Sequence, residues 1–384
     1  MNNRERTLAA LNYERYDRLP VVHFGFWSET LEKWTGEGHL TLDEAMAWED
    51  GNDADRAIGD RLGFDFNWYT TFGCESGLFP GFDPLVVHQF PDGSRHVRNE
   101  HGVIVLEIPG VVSIQAEVDH LLRDRSTWEE HYLPRLRFTE ERLDTAPVRA
   151  GRGALPFVDG GREALQSHPR DAPLGLWCGS LIGVIRDWLG FEGLTYLQAD
   201  DPALLEEMIE TVGELCYQGV DAVLRTGIRF DFGHFWEDIC FRSGPLVHPR
   251  LLAAKVGPHY RRITGLLGAH GIDIVSLDCD GMIDALVPIW IENGVNTMFP
   301  IEVGVWNASI RPWREQYGRG LRGVGGMNKN AFARDYAAVD AEVERLRPLV
   351  ELGGYIPCPD HRIAPDARWE NVQYYCERMR RTFG

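Results

Sequence analysis

Asp278-Cys279-Asp280-Gly281, Pro300-Ile301-Glu302, Gly325-Gly326-Met327-Asn328-Lys329 and Gly353-Gly354-Tyr355 through Asp360-His361 are four short segments in which polar, acid-rich residues follow directly on an apolar run. A carboxylate or imidazole recurring where each buried strand ends is how a (β/α)8 barrel builds an active site, because the loops at that face bring side chains from successive strands to one point. The chain reads as an enzyme.

Working outward, strand-like apolar runs recur at Leu19 to Phe24, Phe64 to Tyr69, Gly175 to Cys178, Arg229 to Trp236, Ile272 to Leu277, Thr297 to Ile301, Leu321 to Gly325 and Gly354 to Pro357. Helical patterns such as Pro202 to Leu224 and Pro249 to His270 separate most of them, and such alternation predicts an α/β TIM barrel. An amphipathic helix over residues 4 to 16 precedes the first run as an N-terminal helical extension. Val86 to Ile108 breaks the pattern: apolar and polar residues alternate around Pro91-Asp92-Gly93 and His101-Gly102, which predicts a small antiparallel meander inserted beside the mouth. Ser126 to Arg170 is charged and irregular, with Gly151-Arg152-Gly153 and Gly160-Gly161 as breakers, and reads as a second insertion. Residues 1–384 are taken as one barrel domain, since barrels pass 250 residues as single units.

The 58 acidic residues against 39 basic ones give a formal charge of −19, which repels phosphate backbones and anionic lipid. Nucleic acid and membrane are therefore excluded as expected partners. No apolar stretch approaches the ~20 residues that span a bilayer, and Met1-Asn2-Asn3-Arg4-Glu5-Arg6 lacks a secretory apolar segment, so the expected location is cytoplasmic. Seven cysteines without Cys-x-x-Cys spacing point to reduced, buried packing residues.

In order along the chain, these segments resemble the uroporphyrinogen decarboxylase superfamily, a barrel group that also holds methyltransferases serving corrinoid-dependent methyl transfer. Arg4 through Pro20 is similar to its opening helix and first strand, and Leu176 through Gly190 to its third-strand segment; Gly353 to Pro357 with Asp360-His361 and Glu370-Asn371 is the most specific match. The decarboxylases carry an Arg-Gln-Ala-Gly-Arg type segment after the first strand and a catalytic aspartate after the second. Here those places read His23-Phe24-Gly25-Phe26-Trp27 and Trp68-Tyr69-Thr70-Thr71, so the polyanion clamp is missing. The thiol methyltransferase branch has His-x-Cys-Gly and a distant Cys as zinc ligands; the corresponding positions here are Asp278, Asp280 and His361.

The resemblance implies a methyltransferase that moves a methyl group from a small O- or N-methylated compound, with a methoxylated aromatic favoured, to the cob(I)alamin of a corrinoid protein. No Asp-x-His-x-x-Gly motif appears, so cobalamin is expected from that partner protein. Asp278, Asp280 and His361, with Glu302 as a fourth ligand or as a neighbour that holds the ligands in place, form an O/O/N set that suits a divalent metal acting as Lewis acid, Zn²⁺ first. The alternative for the acids is capping helices and pairing with arginines. His234, Glu237 and Asp238 follow the fourth strand as catalytic candidates, Glu237 as proton donor to the leaving group. Asn328 and Lys329 are candidate substrate contacts, and Trp27, Trp68 and Tyr69 a stacking wall. Two rivals are a metal-independent decarboxylase or lyase acting on a small acid, and a non-catalytic corrinoid or tetrapyrrole binder. The sequence leaves monomer and homodimer open.

Overall fold

In the computed structural model, which describes residues 1–111, 115–151, 153–167 and 170–384, every one of the eight apolar runs contains a strand. Seven strands form one parallel sheet in the order Tyr355–Pro359, Arg322–Met327, Thr297–Phe299, Val275–Asp278, Phe232–Trp236, Gly175–Gly179 and Thr71–Phe72. The first run supplies Val22–His23, which pairs in parallel with Phe66–Asn67 as a separate two-stranded ladder. Trp68 to Thr70 part Phe66–Asn67, which lies in the second run, from Thr71–Phe72, which lies just beyond it, so the hydrogen bonds do not form one unbroken ring. The two ends meet beyond the last strand, where Trp27 N–H donates to the Ile363 carbonyl at 3.1 Å and Ile363 N–H to the Gly25 carbonyl at 3.1 Å.

The strands are short, and consecutive residues of Val275–Asp278 and Tyr355–Pro359 are buried, as expected where both faces of a parallel sheet are covered. Helices such as Pro202–Arg225, Gly257–Ala269, Tyr336–Val350 and Trp369–Phe383 supply the outer cover. The opening helix is shorter than its periodicity suggests, Asn3–Leu11; Tyr13, in the left-handed region at φ 62°, turns the chain out of it.

The meander is present and has four strands, Leu85–Gln89, Arg95–Arg98, Val103–Glu107 and Ala116–His120, in antiparallel order. The stretch read as irregular contains a hairpin, Pro147–Ala150 with Gly153–Pro156; of its breaker Gly151-Arg152-Gly153, Arg152 lies outside the described residues. No helix among the described residues is long and apolar enough to cross a membrane. All seven cysteines are free and buried.

Candidate active site

His361 and Asp280 leave the ends of two strands that are separated by two others, yet His361 Nε2 stands 3.3 Å from Asp280 Oδ2. The imidazole stacks on Trp27 with centroids 5.2 Å apart and meets the edge of Phe24 at 5.9 Å, which fixes its plane. Its Nδ1 is buried without a hydrogen-bond partner. Asp278 ends its strand one pleat below, and its Oδ2 accepts from the Tyr69 hydroxyl. Burial, and then repulsion from Asp280, hold its carboxyl well above the usual carboxylate range. Glu302 follows the neighbouring strand. Its Oε2 accepts from Gly281 N–H at 2.5 Å, and burial followed by repulsion from Asp280 pushes it up to about 8.

A fourth strand end brings Lys329, whose Nζ donates to the Arg362 carbonyl at 3.3 Å. Burial pushes this ammonium down, against the pull of Asp360, Asp280 and Glu302, so it lies within the acid cluster. Four strand ends thus deliver Asp278, Asp280, Glu302, Lys329 and His361 to one mouth.

Other expected participants are occupied elsewhere. Glu237, read as proton donor, is completely buried and accepts from Leu181, Ile182 and Gly183 N–H at 2.9, 3.0 and 2.7 Å, from the Ser180 hydroxyl at 3.2 Å and from the Tyr260 hydroxyl. It closes the start of the helix Gly183–Asp200, where orphan N–H groups and the helix dipole favour an anion. Asp238 pairs with Arg186 at 3.1 Å, in reach of Asp280 and His361, and its φ of 40° turns the chain there. Asn328 Oδ1 accepts from Asn330 N–H at 3.1 Å and caps a short turn, so this side chain is a cap rather than a free contact. Trp68 is fully buried and stacks on Phe232 at 4.3 Å, making it core rather than pocket wall. His234 is fully buried inside the barrel. Asp360, adjacent to His361, accepts from Val303, Gly304 and Lys329 N–H at 2.9, 2.7 and 2.9 Å and ties three loops together.

Two partners escaped sequence reasoning. Arg362 makes a two-pronged pair with Asp50, at 3.1 and 2.6 Å, and lies over the Tyr69 ring at 5.5 Å. Gly25, at φ 97°, makes room for it: a Cβ there would stand 2.2 Å from Arg362 Nη1 and 2.7 Å from Asp50 Oδ1. A glycine in an apolar run was the available signal. The pairing of Tyr69 with Asp278 joins residues 209 positions apart and had none.

The donor set is one that divalent cations accept: carboxylates and an imidazole, crowded so that two acids resist ionisation. Its chemistry fits an ion. Its spacing does not yet enclose one, since among the described residues no group of three or more His, Cys, Asp and Glu side chains is assembled at metal-binding distances.

No family model matches the chain, and no curated protein does. Among solved structures, a methyltransferase from Methanosarcina mazei is similar over 99% of this chain and 98% of its own, with a TM-score of 0.59 and 14% identity. A B12-independent methionine synthase from Shewanella sp. W3-18-1 is similar over 95% of this chain and 98% of its own, at a TM-score of 0.46 and 11% identity. The first likeness, which spans both chains almost end to end, establishes a shared fold.

Proposed function

We propose that this chain is a methyltransferase that takes a methyl group from a small O- or N-methylated compound and passes it to the cob(I)alamin of a separate corrinoid protein. The observation that carries this reading is the Asp280–His361 pair at the barrel mouth, flanked by Asp278 and Glu302. The fold held in common with a methyltransferase over the full length supports it. Asp280 and His361 are the proposed ligands of a divalent cation, Zn²⁺ first, with Asp278 and Glu302 beside them; a bound cation would supply Lewis acidity toward the methyl-bearing heteroatom. The reading includes a cytoplasmic protein that meets its corrinoid partner transiently.

In the proposed reaction, the bond from carbon to the heteroatom breaks with its electron pair staying on the heteroatom, and the acceptor's own pair forms the new bond to the methyl carbon. The heteroatom then needs a proton. Glu302, a carboxyl that burial and Asp280 hold above the usual range and that has only one backbone partner, is the proposed source and takes the role first expected of Glu237. Tyr69 holds Asp278 in place, and Trp27 with Phe24 orients His361.

Glu302 also favours a second reading, acid–base chemistry on a small acid without metal. The two separate on one experiment: metal-stripped and metal-loaded protein are each mixed with cob(I)alamin and a panel of methoxylated arenes and methylamines, and the corrinoid absorption is followed. Transfer restricted to loaded protein supports the first reading; no transfer in either, with turnover of a small acid, supports the second. Uroporphyrinogen should give no coproporphyrinogen, since the arginine clamp is absent.

A further inference from the structure

A cavity of about 290 Å³ lies away from the mouth, between the helix Asp53–Leu62, the paired strands Val22–His23 and Phe66–Asn67, and the hairpin strand Pro147–Ala150. None of Asp278, Asp280, Glu302, Lys329 and His361 lines it. Phe64, Phe66, Phe72, Val148, Leu165 and Leu174 give it an apolar wall. His23 reaches it from the strand, 1% exposed and packed against the rings of Phe64 and Phe26 at 4.7 and 5.1 Å. Gly25 N–H donates to His23 Nδ1 at 3.1 Å. A backbone amide only donates, so Nδ1 carries the lone pair and the proton of the neutral ring sits on Nε2. Burial keeps the ring neutral by pushing its pKa down to about 3. Nε2–H has no hydrogen-bond partner among the described residues.

Gly59, on the helix, leaves the space in front of that donor open. A Cβ there would stand 3.3 Å from Nε2, and glycine inside a helix is less favourable than alanine. The carboxylates around the cavity are answered by the protein: Asp55 accepts from Trp48, Gly51 and Asn67, Asp50 pairs with Arg362, and Asp65 with Arg18 and Arg380. Arg149 and Arg170 in the lining face Glu49 and Asp231. A charged guest would therefore shed its water without gaining a free counter-ion from these groups, whereas a neutral guest with a lone pair matches Nε2–H. An apolar cavity of about 150 Å³ holds one benzene ring, so the space suits about two fused rings. We propose that this cavity is a second ligand site, taking a flat, uncharged, two-ring molecule whose ring nitrogen or carbonyl oxygen accepts from His23 Nε2–H. Asp50 both lines the cavity and holds Arg362 over Tyr69, so the site backs onto the mouth. Nothing in it depends on methyl transfer.

Quinoline and naphthalene test this, since they share a shape and differ in one ring position, nitrogen against C–H; N-methylquinolinium blocks the nitrogen and adds a charge. Dissociation constants are measured by equilibrium dialysis near neutral pH on the full chain, in wild type, His23→Phe, Gly59→Ala and Leu165→Trp. The ¹⁵N resonances of the histidine rings are followed in wild type. Quinoline is expected to bind wild type and to move the His23 Nε2 resonance, with N-methylquinolinium binding more weakly. The ratio of the naphthalene to the quinoline dissociation constant should fall about tenfold in His23→Phe, one hydrogen bond's worth. It should fall in Gly59→Ala as well, because the added methyl group crowds Nε2. Leu165→Trp, which fills the cavity from the helix Arg162–Ser167, should lose both ligands. An unchanged ratio in His23→Phe, binding that survives in Leu165→Trp, or N-methylquinolinium binding tightest overturns the proposal. So does the absence of binding to wild type, the sign of a cavity that holds water alone. If His23→Phe does not fold, Gly59→Ala and the Nε2 resonance decide.

Discussion

Glu237 and Glu302 are both buried carboxylates just past the ends of barrel strands, and they have opposite surroundings. Glu237 takes three backbone N–H groups and two hydroxyls, whereas Glu302 takes one backbone N–H and faces Asp280. Position after a strand therefore does not by itself tell which acid keeps spare bonding capacity. A carboxylate whose oxygens are filled by the fold stabilises the fold, and one left with spare capacity beside like charge is free to bind a cation or move a proton.

The largest effect should fall on the mouth. His361→Ala is expected to lower methyl transfer ~10³-fold or more, since each ~1.36 kcal/mol of lost stabilisation is tenfold, while the melting temperature stays close to wild type. Steady-state rates and thermal melts on the same preparation check this. Glu237→Gln should invert the pattern: a side chain that donates where five donors already point costs on the order of 3 kcal/mol, read as a lower denaturation midpoint, with the surviving folded fraction still active. If Glu237→Gln were fully stable and inactive, the contrast between the two acids would collapse.

Glu302→Gln is milder, about 10²-fold in rate, as loss of a general acid. The smallest effect concerns Asp55, a buried acid between these extremes, which accepts from Trp48, Gly51 and Asn67. Burial and then Asp50 push it up to about 7. Above an unfolded value of about 3.9 the unfolded chain gives up this proton while the folded one keeps it, so stability from this group is full below about pH 4 and is lost as pH rises toward 7. The melting temperature of Asp55→Asn relative to wild type should therefore rise between pH 5 and pH 7.5; a difference that does not change with pH would contradict the shift.

The strands were legible because burial on both faces writes them as apolar runs bounded by turn residues, and all eight runs carry one. The mouth residues were legible for the same reason, since Asp278, Asp280, Glu302 and His361 sit where such runs stop. What the sequence did not carry is which polar groups find partners. Glu237 and Glu302 look alike as letters. Only the approach of the helix Gly183–Asp200 to one of them, and of Asp280 to the other, separates their roles. The same holds for Asn328, whose cap partner is local, and for Arg362, whose partner Asp50 lies 312 residues away. Trp68 and Trp27 differ likewise: one is sealed between strands, the other packs on His361.

The most direct test of the central claim is a zinc titration of metal-stripped protein by calorimetry, with methyl transfer to cob(I)alamin measured at each point, on wild type and on Asp280→Ala. One tight site per wild-type chain is expected, with activity rising in step with its occupancy and both lost in Asp280→Ala. Full methyl transfer by metal-stripped wild type, or unchanged zinc affinity in Asp280→Ala, would contradict it.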